Sequence, residues 1–209
     1  MTSLRVGVAG VVLVVALCAA GAAWSAPPGP RDPDWPCQQI KVAQLSVAAV
    51  WPGPPLDPQH DGWREKPQVA DLVHEIAQRR VPIEQAQEKI RAFVEQAADQ
   101  KQPALLELFA GLFSVLDNER GTVIAGLDRF GARQKELAAA LRNDNDKLRA
   151  MQADPGSDAG DVNQMTQRVM WEAQVFQDRS QSLSYACDVP GKIEQRLFAL
   201  ARTIQQALQ

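Results

Sequence analysis

"LDRFGARQKELAAALRNDNDKLRAM", residues 127–151, is the stretch that decides how this chain is organised. Leu127, Phe130, Gln134, Leu137, Leu141, Asp144, Leu148 and Met151 follow one another in alternating steps of three and four. That is the two-position seam of a helix meeting a single partner helix, loosened where Gln134 and Asp144 take seam positions. Immediately beyond it, "ADPGSDAGD" holds Pro155, Gly156 and Gly160, the punctuation of a turn. A second seam answers the first through Val162, Met165, Val169, Ala173, Phe176, Ser180, Leu183 and Cys187. Two seams joined by a short turn predict an antiparallel, coiled-coil-like helical hairpin over about 127–187.

On the N-terminal side the same helix becomes densely apolar. From Pro103 the pattern runs through Leu105, Leu106, Leu108, Phe109, Leu112, Phe113, Val115 and Leu116, covering much of the circumference. A helix apolar on so many sides is enclosed by several neighbours. Unbroken from Pro103 to about Ala153, it would measure roughly 75 Å, against roughly 40 Å for the answering arm. Its outer half would then pair with the arm and its inner half with flanking helices; Gly121, Gly126 and Gly131 are where it could bend or break. Those flanking helices are legible too. Val69, Leu72, Val73 and Ile76 share one face, and Pro82 opens a second helix with Ile83, Ala86, Ile90, Phe93 and Val94. Pro190 begins a last helix with Ile193, Leu197, Leu200, Ala201, Ile204 and Leu208 on its buried face. The fold class is all-α, with a helical domain over 67–209.

The preceding segment has a different grammar. From 26 to 66 the chain carries Pro27, Pro28, Pro30, Pro33, Pro36, Pro52, Pro54, Pro55 and Pro58, which forbid a continuous helix. "IKVAQLSVAAVW" between them fits a short strand or one or two helical turns. Trp35, Trp51 and Trp63 punctuate the segment and are expected to anchor an extended strap on the helical body, since each ring buries a large area.

Residues 1–25 fix an expected compartment. "MTSLR" gives one basic residue, an uncharged apolar run follows, and Ala23 and Ser25 supply small residues before a cut near Ser25–Ala26. That is the layout of a secretory signal peptide. A retained anchor and lipid attachment at Cys18 are the alternatives, though Leu17 is bulky for the latter. Export implies an oxidising environment, periplasmic or secreted, and leaves Cys37 and Cys187 as the two remaining thiols. They can form one internal disulfide, stay free or bridge two chains. The internal bond is the expectation, and with no CxxC motif it is a structural one.

Several segments resemble a group of uncharacterised exported proteobacterial proteins with a DWPC segment: "DWPCQQIKV…LS…AVW", "GLDRFGARQKELA" and "RSQSLSYACDVP…IEQRLFALAR". The resemblance covers nearly all of the chain after the leader. It implies a bacterial, periplasmic setting and carries over no activity, cofactor or catalytic residue.

Composition and motifs narrow the function by exclusion. Without residues 1–25, whose one charged side chain is Arg5, the formal net charge goes from -3 to -4. An acidic chain lacking a basic stripe is a poor nucleic-acid binder. No second long apolar run follows the leader, so no membrane association is expected after its cleavage. "HEIAQ" has Gln78 where a zinc-protease helix needs its second His, leaving His74 as a helix-surface residue. "QHDGW" offers His60 and Asp61 but no nucleophile to go with them. "RNDNDK" with Asp154, Asp158 and Asp161 gathers carboxylates at the hairpin tip without calcium-loop spacing. Glu119, Arg120, Asp128 and Arg129 read as helix-surface ion pairs. No catalytic residue, cofactor or metal ligand is assigned. Two function classes follow: an exported protein whose hairpin docks a protein partner or a second copy, and a module binding a small molecule or ion in a groove walled by Trp51, Trp63 or His60.

Overall fold

The computed structural model describes residues 32–57 and 61–209. The expected leader and cleavage site, Cys18 and His60 lie outside the described residues. Among the described residues every regular element is helical: α1 (Val47–Val50), α2 (Pro67–Ala77), α3 (Ile83–Ala97), α4 (Lys101–Ala153), α5 (Ala159–Cys187) and α6 (Val189–Leu208). Short 3-10 turns at Gly62–Glu65 and Ala98–Gln100 lead into α2 and α4.

The fold is organised by α4, whose 53 residues run unbroken for about 80 Å. It begins two residues before Pro103, which sits in the first turn, where its missing N–H is not needed. Gly121, Gly126 and Gly131 neither bend nor interrupt it enough to end the helix. Coming back along it are α5 and α6, separated only by Asp188, so one long helix is answered by two shorter ones placed end to end. Pro190 explains the joint: within the first turn of α6 it cannot continue the hydrogen-bond ladder of α5.

The body is built on the inner half of α4. Leu105, Leu108, Phe109, Leu112, Phe113 and Leu116 are buried against Val73 and Ile76 of α2, Ile90 of α3 and Ile193, Leu197 and Leu200 of α6. Each helix brings the apolar face its spacing predicts. Arg196 is the exception to an apolar interior. It is buried, yet its guanidinium donates to the Ile76 carbonyl from Nε (2.8 Å) and Nη2 (2.6 Å) and to the Val81 carbonyl from Nη1 (2.9 Å). Ile76 belongs to the last turn of α2, where carbonyls lose their helical partners, so Arg196 caps that end and ties it to α6. Burial pushes its pKa down from the ordinary value, and Glu119 opposes that shift.

Beyond the body, α4 and α5 form the arm. Leu127, Leu148 and Val169 are buried there, while the remaining seam positions are mostly only half-covered. Gln134 does not merely loosen the seam: its Nε2 donates to the Phe176 carbonyl (3.0 Å) and to Ser180 Oγ (2.9 Å), fixing the register. One seam position differs from expectation. Ala173 is exposed, and Glu172 takes its place, half-buried with Oε2 lacking a partner. The steps from Val169 to Phe176 are therefore three then four. At the tip, Asp158 caps α5 by accepting from the Gly160 and Asp161 N–H groups (2.8 and 3.1 Å), and Asp154 Oδ1 accepts from Gly156 N–H (2.9 Å).

Candidate functional site

Three of the segments discussed above converge where α5 meets α6. Cys37 and Cys187 are joined as a disulfide, with their Cα atoms 5.6 Å apart. Gln39 Nε2 donates to the Cys187 carbonyl, at the C-terminal end of α5. Trp35 Nε1 donates to the Gln39 carbonyl (2.7 Å), turning the strap back on itself around the bond.

From this pin the strap runs along α4 in the opposite direction. Asp34 pairs with Lys135 (2.9 Å), Lys41 bridges Asp32 (2.6 Å) and Asp128 (2.8 Å), and the Leu45 N–H donates to Asp117 Oδ1 (3.1 Å). The hydrogen bonds from Lys41 hold the Asp32 carboxyl below its usual pKa, and those to Asp128 and Asp32 raise that of Lys41. These pairs, exposed or half-buried, set register more than stability. Trp51 closes the run, stacked on Phe109 with ring centroids 4.1 Å apart and its Nε1 donating to the Pro54 carbonyl (2.9 Å). Only one helical turn, α1, forms on the way.

Trp51 and Trp63 are both buried, at 4% and 0% exposure, whereas Trp35 is half-buried beside the disulfide. The groove once expected at Trp51, Trp63 or His60 is therefore not walled by the first two, which are inside the core. Beside Trp35 there is a cavity. It has a volume of about 440 Å³ between the strap, α4 and the α5–α6 joint, and Arg120 and Glu194 line it.

Arg120 is also a correction. It is 3% exposed and no surface residue: its Nε pairs with Glu194 of α6, and its Nη1 is buried without an acceptor. Glu119 likewise reaches across to Arg79 of the α2–α3 connection (3.0 Å), and Asp128 to Lys41 of the strap. These pairs join elements because their positions on α4 face neighbours that local spacing does not reveal. His74 is exposed on α2 in a T-shaped contact with Trp63, centroids 5.8 Å apart.

Gly131 explains how the strap approaches so closely. A Cβ there would lie 2.1 Å from the Asp34 carbonyl oxygen and 3.1 Å from Pro36 Cδ, whereas one at Gly121 would meet nothing within 4 Å. Gly121→Ala is expected to stabilise the protein by about 0.5–1 kcal/mol through helix propensity. Gly131→Ala must overcome a clash with backbone and is expected to cost about 1–3 kcal/mol. Urea unfolding of the two variants checks this opposition; equal gains would mean that the strap does not rest on α4 at 131.

The fold and the pinned strap together define a class: an all-α protein whose long antiparallel hairpin projects from a strap-braced body. No protein-family model matches the chain, and neither a curated protein nor a solved structure does. Among the described residues no helix is long and apolar enough to cross a membrane.

Proposed function

We propose that this is an exported helical protein that works by protein–protein docking through its hairpin, with a partner protein or a second copy seated on α5. The observation that carries the reading is the neighbouring pair Met170 and Trp171, 62% and 68% exposed on the arm. Scattered surface apolar side chains are ordinary, but an exposed tryptophan beside a methionine has the composition of an interface centre. The seam of the arm buries little, so the extension adds far less to the core than the Leu105–Leu116 segment does. Export is supported by the leader pattern, and the disulfide is compatible with an oxidising compartment, periplasmic in a bacterium.

Two variants test this. Trp171→Glu leaves the seam untouched; the second variant joins Leu137 to Val175 by a short glycine-rich turn, keeping the Gln134–Ser180 crossing. Sedimentation equilibrium reads self-association, and affinity capture from the native source reads a partner. Both variants are expected to keep cooperative melting and to lose the association by at least tenfold. A partner or dimer retained equally by both variants, or a wild-type protein that associates with nothing, overturns the proposal.

A further inference from the structure

The cavity at the α5–α6 joint carries an inference independent of docking. We propose that it binds a small monocarboxylate with an apolar tail, the carboxylate held by Arg120 and the tail lying on the strap.

The argument starts from the buried guanidinium. Arg120 has given up its hydration, and its Nε is matched by Glu194, but Nη1 has no acceptor. An unmatched buried donor loses its water without a return, so the site is incomplete as it stands. A planar guanidinium is best completed by a carboxylate or a phosphate. The other charges lining the cavity choose between them. Lys192 adds one positive charge to that of Arg120, while Asp188 and Glu194 add two negative ones, so the lining is neutral overall and takes one added negative charge more readily than two.

The rest of the lining defines the tail. Ile40 and Val42 of the strap reach the cavity while remaining 83% and 47% exposed, and Ile124 of α4 is buried behind them. Ile40 lines the cavity three residues after Cys37, which the disulfide ties to the end of α5. A volume of about 440 Å³ falls within the size range of small-molecule sites, which pair an apolar wall with a few converging polar groups.

The experiment uses the disulfide-intact protein and octanoate as the probe, with octanol supplying the tail without charge and acetate the charge without tail. Calorimetric titration reads affinity. Octanoate is expected to bind saturably and at least tenfold tighter than either control. Arg120→Gln and, separately, Ile40→Asp are expected to weaken octanoate at least tenfold; Ile40 is a surface residue, so its variant reports even if the Arg120 variant fails to fold. Absence of saturable octanoate binding, octanol binding as tightly, or an unchanged affinity in Ile40→Asp overturns the proposal.

Discussion

Replacing Cys37 and Cys187 together by alanine is expected to lower the unfolding free energy by about 4–5 kcal/mol, the largest effect of any change considered. The bond closes a loop with a sequence separation of 150, so the unfolded chain gains most of the freedom that one cross-link can withhold. Against a typical domain stability of about 5–15 kcal/mol, that loss leaves little margin. Urea unfolding supplies two readings. The midpoint should fall, and the slope should rise, because an unfolded chain free of its cross-link exposes more surface. A loss below about 1 kcal/mol would assign the strap's attachment to the Trp51–Phe109 stack and the ion pairs of Lys41 and Lys135.

Trp63→Ala is expected to cost about 3–5 kcal/mol, as truncating a fully buried aromatic does. The ring is enclosed between α2 and α4, and Gly111 is what admits it: a Cβ at 111 would lie 2.7 Å from Trp63 Cδ2 and 2.8 Å from Val73 Cγ2. Gly111→Ala alone should therefore cost about 1–3 kcal/mol by overpacking. In Trp63→Ala the same methyl would no longer meet the ring, and only its contact with Val73 would remain. The double variant is expected to lose clearly less than the sum of the singles, and strict additivity would contradict the contact. Thermal melting of the four proteins completes the cycle.

Much of this architecture was legible in the sequence because it rests on periodicity. The seam from Leu127 to Met151, the dense face from Leu105 to Leu116 and the end of α4 at Ala153 are all local patterns, and local patterns survive folding. The disulfide was legible as an expectation, since two cysteines outside residues 1–25 allow one internal pair, with free thiols and a bridge between chains left open. Arg120 was not. On its own helix it sits among Glu119, Asp128 and Arg129 and reads as solvent-facing; only the return of α6 along α4 covers it and supplies Glu194. Gly131 was misread for a similar reason. A glycine in a helix suggests a weak point until a second segment of backbone is found lying over it. The exchange of Ala173 for Glu172 in the seam escaped because hydrophobicity alone favours alanine over a charged residue.

The position of the two cysteines also sets a timetable. In a chain that crosses a membrane from its N-terminus, Cys37 arrives while Cys187 is still 150 residues behind it. Throughout that interval Cys37 is a lone thiol on a proline-rich segment, with neither α4 to lie on nor the α5–α6 joint to be joined to. The bond that fastens the strap has to wait until Cys187 has emerged. On the proposed export route, an oxidant in the receiving compartment has to spare the early thiol or leave it exchangeable until then.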